Sequence, residues 1–180
     1  MTHAGRCAEL SWQVWPVSVG LALAAWSQRG LCAVFLADDE AGLLAELASS
    51  FPGHASRRAD MAPPWVPCLL AVLNGELHDP ARVCDVPLEM RGTPFQQSVW
   101  SALRTIPSGQ TVSYTELAQR LGEPKAVRAV ASACAANLLA VLIPCHRVVR
   151  RDGSLSGYRW GQARKQALLA REASFSMAPS

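Results

Sequence analysis

The sequence predicts two units in series: a small α/β domain of antiparallel strands and helices over residues 1–90, and a mainly α domain with a helix-turn-helix over residues 91–180. Short apolar stretches separated by tight turns fill residues 10–37, which is a strand pattern. From Thr93 onward apolar positions recur at helical spacing behind capping residues. The charge also changes sign: residues 1–90 hold five Lys/Arg against ten Asp/Glu, a net of −5, and residues 91–180 hold twelve against four, a net of +8. A chain of 180 residues, half of them hydrophobic and 17% charged, is long enough for a globular core.

Strands are expected at Leu10–Val17, Gly20–Ser27 and Gly30–Ala37, with bends at Gly20 and Ser27-Gln28-Arg29-Gly30. A helix follows over 39–50, its first turn acidic (Asp39, Glu40) as the helix dipole favours, with Pro52-Gly53 as its stop. Pro63-Pro64 opens another helix running to Asn74-Gly75. A Pro-containing segment over 79–87 leads to a boundary near 89–93. Thr93 caps a helix from Pro94 with Phe95, Val99, Leu103 and Ile106 on one face, ended by Pro107-Ser108-Gly109. Ser113 or Thr115 starts a short helix that buries Leu117 and Leu121 and stops at Gly122. A helix over 125–136 completes a helix-turn-helix pattern, although any helical hairpin looks similar. Asp152-Gly153 reads as a hairpin turn between strands at 147–150 and 154–158, and a last amphipathic helix covers 162–172.

The basic second half suggests a nucleic-acid or other anionic partner; the plain alternative is a solvated basic surface. In the helix over 125–136, Ala126, Ala129, Ala131, Ser132, Ala133, Ala135 and Ala136 are small, with Arg128 near the start. Helix propensity alone favours alanine. A small-residue face would also let the backbone approach a narrow DNA minor groove, with Arg128 as a probe into the base stack. Six cysteines without a secretory signal point to a reducing, cytoplasmic setting, and the apolar run over 17–37 is too interrupted to span a membrane. Neither the cysteines nor the four histidines show metal-ligand spacing, so no metal or cofactor is expected.

Chemistry concentrates in Ile143-Pro144-Cys145-His146-Arg147-Val148-Val149, where a thiol, an imidazole and a guanidinium interrupt an apolar run. Thiolate is the nucleophilic form of cysteine, and basic neighbours favour it; a buried structural cysteine is the alternative. In extended chain Cys145 and His146 would point apart, so a bridging water would have to carry the proton between them. The imidazole needs a carboxylate to set its tautomer. Glu172 and Asp152 are the candidates, and either could equally be a solvated acid.

These residues resemble the methylated-DNA–protein-cysteine methyltransferases that repair 6-O-alkylguanine. The resemblance runs from about residue 91 to 172, through Gly92-Thr93-Pro94-Phe95-Gln96, Ile106-Pro107-Ser108-Gly109, Val112-Ser113-Tyr114, Lys125-Ala126-Val127-Arg128-Ala129-Val130, Ala136-Asn137, the Pro144-Cys145-His146-Arg147 signature and Gly157-Tyr158-Arg159-Trp160-Gly161. It is strongest to the carboxy-terminal repair module of the bacterial adaptive-response protein and weaker over residues 1–90.

The resemblance implies a ribonuclease H-like first domain and a winged-helix-like second one. It also implies a monomer that binds double-stranded DNA through the minor groove and flips out the alkylated guanine, with 4-O-methylthymine as a further substrate. Cys145 would attack the alkyl carbon and keep it as a thioether, in a single turnover. His146 would deprotonate Cys145, Glu172 would orient His146, and Asn137 would brace the turn before the site. Tyr114 would rotate the nucleotide and protonate the leaving guanine, while Arg128 fills the gap. Ala126, Ala129, Ser132 and Arg147 would line the DNA contact. The carbonyls of Cys145 and Val148 and the loop of Ser156, Gly157, Tyr158, Arg159 and Trp160 would form the substrate pocket. Trp160 is bulky for that position, which favours methyl over benzyl groups. The amino-terminal regulatory module of the adaptive-response protein has no counterpart in this sequence, so no transcriptional role is expected. A Cys-His hydrolase lacks an oxyanion-hole motif here, and damage-binding relatives without repair activity lack the cysteine.

Overall fold

The computed structural model describes residues 9–77 and 85–176. Strands β1 (Leu10–Val17), β2 (Gly20–Ser27) and β3 (Gly30–Ala37) form the expected antiparallel meander, with register Val17↔Gly20 and Ser27↔Gly30 at the two turns. Helix α1 (Glu40–Ser50) starts at Asp39, whose carboxylate accepts from the Gly42 amide at 2.6 Å. The chain then adds β4 (Ser56–Arg58) beside β1, giving the order β3-β2-β1-β4. The β4 pairing is parallel, where an all-antiparallel sheet was expected. A crossover helix returns the chain in its starting direction, so β4 runs parallel to β3 and hence to β1. Helix α2 (Val66–Leu73) is shorter than the expected span, because Trp65 and not the proline pair stands at its start. The expected connecting segment over 79–87 lies mostly outside the described residues.

The second half is helical as expected. Helix α3 (Pro94–Leu103) and helix α4 (Tyr114–Arg120) both begin with capping boxes, Thr93 with Gln96 and Ser113 with Glu116, so Ser113 and not Thr115 is the cap. Gly122 (φ +74°) reverses the chain before helix α5 (Val127–Ala135). There its amide and that of Glu123 bond the Gln119 and Ala118 carbonyls. Val130, Ala133 and Cys134 of α5 are buried, and the Trp100 indole donates to the Ala133 carbonyl at 2.8 Å, locking α5 to α3. The expected hairpin over 147–158 does not form. Its turn exists, with the Arg150 amide on the Ser154 carbonyl, but β6 (Val148–Val149) pairs instead in parallel with β5 (Val112–Ser113). Helix α6 (Gln162–Ser176) closes the fold.

The outer edge of β3 joins the two halves. Leu31 exchanges backbone bonds with Pro87 and Glu89, and Val34 with Leu138 and Ala140. Leu31 through Leu36 are all buried, because both the incoming connection and the segment leading to Cys145 cover this edge. Edge amides left bare would be a liability, so the pairing satisfies the sheet and anchors the reactive segment together. Among the described residues no helix is long and apolar enough to cross a membrane.

Gly122→Ala forces a methyl into left-handed backbone, so stability should fall by about 1–2 kcal/mol, measured by urea unfolding.

Candidate active site

Residues 137–149 are held in an irregular course by one amide. The buried Asn137 accepts from the Leu139 amide (2.8 Å) and donates to the Ile143 carbonyl (3.0 Å) and the Cys145 sulfur (3.2 Å). Val141 takes φ 69°, a costly conformation for a β-branched residue that persists only where its surroundings impose it. Cys145–Arg147 forms a 3-10 turn and is not extended as expected. Successive side chains are then roughly 120° apart instead of opposite. Cys145 is 6% exposed. Burial pushes its thiol above the usual value, while the Asn137 amide and the Lys165 charge act to lower it.

His146 is fully buried, and its Nε2 donates to Glu172 Oε1 at 2.8 Å. That leaves Nδ1 as the ring's acceptor, and it has no hydrogen-bond partner among the described residues. Burial holds the imidazole pKa below its ordinary value, against the pull of Glu172. Burial would raise the Glu172 carboxyl, but the His146 and Arg147 hydrogen bonds hold it down at about 2. Glu172 is therefore the partner of His146. Asp152 is exposed and accepts only from Ser154.

Arg147 is not a DNA-facing residue, which corrects the expectation from sequence. It is 5% exposed; Nε and Nη2 donate to the two Glu172 oxygens at 2.9 and 2.8 Å, and Nη1 donates to the Ile106 carbonyl. A guanidinium in a basic segment reads as surface, and only the fold reveals the carboxylate that neutralises it.

The outward face of α5 carries Arg128, Ala129, Ser132 and Ala135, all exposed, with Ala126 half-buried at its start. Tyr114 opens α4 and its hydroxyl lies 2.6 Å from that of Ser156, which is buried. In the same loop Gly157 is exposed, Tyr158 packs edge-on against Trp160 (5.2 Å between centroids), and Trp160 is 4% exposed. The Tyr158 hydroxyl and the Trp160 indole N–H are buried without a partner among the described residues. Arg159 is engaged away from a pocket role: it bonds Glu46 (2.8 Å) and Ser50 (3.2 Å) on α1 and the Ala135 carbonyl. The first unit thus tethers this loop. The Val148 carbonyl accepts from Lys165 Nζ at 2.7 Å, and a carbonyl can accept a second bond. Sequence reading missed Lys165; an ordinary lysine on a helix gives no sign of burial.

A cavity of about 670 Å³ lies elsewhere, lined by Glu9, Arg29, Arg57, Glu89 and Arg91 among others. Its charges largely pair with one another, Arg57 with Glu9 and Arg91 with Glu89. None of Asn137, Cys145, His146, Arg147 and Glu172 lines it. Among the described residues no group of His, Cys, Asp and Glu could hold a metal.

These features define a helix-turn-helix protein whose second helix leads into a buried Cys-His-Glu site. The family model for the DNA-binding domain of 6-O-methylguanine DNA methyltransferase matches residues 94–174. The bifunctional transcriptional activator/DNA repair enzyme Ada of Escherichia coli is 53% identical over 172 residues, 95% of this chain and 48% of the relative. A methylated-DNA–protein-cysteine methyltransferase of Mycobacterium tuberculosis is 53% identical over 106 residues, 59% of this chain and 62% of its own length. The chain therefore spans about half the length of Ada. The crystal structure of M. tuberculosis O6-methylguanine methyltransferase superposes with TM-score 0.73 at 35% identity, covering 95% of this chain and 96% of that one. The structure of M. tuberculosis OGT in complex with DNA gives 0.71 at 35%, covering 92% and 93%. The chain belongs to the 6-O-methylguanine-DNA methyltransferase family.

Glu172→Gln leaves the buried Arg147 without its counter-charge, so stability should fall by about 3–5 kcal/mol. In the parent protein stability should decline as pH falls. Below the ordinary imidazole value of 6.5 the unfolded chain takes up the proton that native His146 resists. From the ordinary 4.5 down to about 2, Glu172 adds a second decline, which Glu172→Gln should remove. Denaturant titrations across pH measure both. Glu46→Ala should leave global stability almost unchanged but speed amide hydrogen exchange in residues 156–160.

Proposed function

We propose that this protein repairs DNA by direct reversal, moving the methyl group of 6-O-methylguanine, and of 4-O-methylthymine, irreversibly onto Cys145. The observation that carries this is the buried Cys145 sulfur, hydrogen-bonded by Asn137, next to a histidine whose tautomer Glu172 sets with Nδ1 left as the base. Cys145 gives its proton through a bridging water to Nδ1, the thiolate attacks the methyl carbon, and the electron pair of the breaking C–O bond passes to the guanine. The guanine takes a proton from Tyr114. A thioether has no route back under attack by water, so each molecule acts once.

A thiolate cannot reach a stacked base, and extrusion costs a few kcal/mol. The exposed Arg128 fills the vacated space, while Ala126, Ala129 and Ser132 let α5 approach the minor groove of the duplex. Asn137 braces the turn. The Cys145 and Val148 carbonyls and the loop of Ser156, Gly157, Tyr158 and Trp160 hold the flipped base, with Arg159 fixing that loop from outside. In this reading residues 1–90 form a ribonuclease H-like scaffold and residues 91–180 a winged-helix-like DNA-binding domain. The protein works as a monomer in the cytoplasm without a cofactor.

Incubation with duplex carrying one 6-O-methylguanine should add one methyl per protein on Cys145, read by peptide mass, and stop at equal stoichiometry. Binding without added mass would leave damage recognition alone. Cys145→Ser should keep binding and lose transfer. Arg128→Ala should slow transfer from duplex far more than from the free base. The buried Trp160 should make methyl transfer faster than benzyl transfer.

A further inference from the structure

Tyr158 and Trp160 pack edge-on in the pocket loop, and neither the Tyr158 hydroxyl nor the Trp160 indole N–H has a hydrogen-bond partner among the described residues. Hydrogen bonds from the rings therefore do not set where Trp160 sits; its flanks do. On one side Arg159 Nε donates to Glu46 Oε1 at 2.8 Å and Nη2 donates to Ser50 Oγ at 3.2 Å, both on α1. The Arg159 Cζ also lies 6.0 Å from the ring centroid of Phe35, buried on β3. On the other side Arg164 Nη1 donates to the Trp160 carbonyl at 3.0 Å. Its Nε donates to the Val19 carbonyl at 2.9 Å and its Nη2 to Asp38 at 2.5 Å. Arg164 fits over the β1–β2 turn because Gly20 has no side chain: a Cβ there would stand 3.1 Å from Nη2 and 2.7 Å from the Ala37 carbonyl oxygen. Two arginines thus bracket Trp160, and each ends on residues of the first unit.

We propose that the first unit sets the size of alkyl group the site accepts, with Glu46 as a specificity-determining residue that acts through Arg159 on Trp160. The proposal rests on the methyl-transfer reading above. Trp160 is 4% exposed in close-packed surroundings, so a group much larger than methyl enters only if the indole moves. Moving it strains the links on both flanks, whereas a methyl leaves the loop in place. The links therefore oppose transfer of the larger group and not of the smaller, and selectivity is that difference. The two links are unequal. The Asp38 side chain is 92% exposed, and water screens its pairing with Arg164. The side chains of Glu46 and Arg159 are 20% and 29% exposed, so theirs is the firmer hold. Glu46 touches no substrate in this scheme; it is a positioning residue on a unit that lacks the nucleophile.

The test measures single-turnover transfer to Cys145 from two saturating duplexes that differ only in carrying 6-O-methylguanine or 6-O-benzylguanine. Both share duplex binding, base extrusion and activation of the thiol, so a change in the ratio of the two rates reports the pocket. Glu46→Ala should raise the benzyl-to-methyl ratio by about three- to fivefold, as loss of a partly exposed ion pair allows, with the methyl rate and DNA affinity unchanged. Glu46→Gln keeps an acceptor for Arg159 and should fall between Glu46→Ala and the parent. Adding Glu46→Ala to Trp160→Ala should raise the ratio no further than Trp160→Ala alone, since no indole is left to place. An unchanged ratio in Glu46→Ala would overturn the proposal. So would equal losses from both duplexes, which would make the pair a support of the fold only, or a further rise in the double variant. If the parent protein takes neither group from DNA, the repair reading fails instead.

Discussion

The carboxylate of Glu172 is the interaction on which the site depends. Its two oxygens serve His146 and Arg147, which are neighbours in one 3-10 turn, and this anchors α6 to the reactive segment. Burying three ionisable groups is costly unless each is paired, and here each is. The arrangement fixes the imidazole tautomer and keeps a positive guanidinium within the cluster. Arg147 thereby lets the carboxylate stay ionised at the level of burial that the histidine requires.

The same segment is held from the other side by the sheet. Val34 of β3 takes Leu138 and Ala140 into its ladder, and Asn137 then turns the chain so that its amide meets the Cys145 sulfur. The positive φ of Val141 is tolerated because both ends of this stretch are pinned. Arg159 adds a third link, from the pocket loop to α1. The first unit thus acts as a frame for the segment that carries Cys145.

Helix α5 serves two surfaces at once. Its inner face meets α3 and α4 through Val130, Ala133 and Cys134, and its outer face remains small apart from Arg128. Small side chains permit close approach on both sides. The thiol of Cys134, pushed up to about 12 by burial, is a packing group on that inner face, unlike Cys145, whose sulfur meets the Asn137 amide.

Local signals in the sequence determined the three strands, the Thr93 cap and the small outer face of α5, because turn residues, caps and apolar spacing act over a few positions; which of Ser113 and Thr115 caps the next helix was settled by the structure. The Pro-Cys-His-Arg signature pointed to the segment that the structure buries around Cys145. Which acid would hold His146 stayed open between Glu172 and Asp152. Contacts between residues distant in sequence were decided only by the tertiary structure. The parallel placement of β4 and of β6 depended on where the chain returned after a helix or loop. Arg147 and Lys165 look like surface cations until folding buries them, one against Glu172 and the other against Ser156 and the Val148 carbonyl. Burial of a charge is a property of everything packed around it, and no local stretch of sequence carries that information.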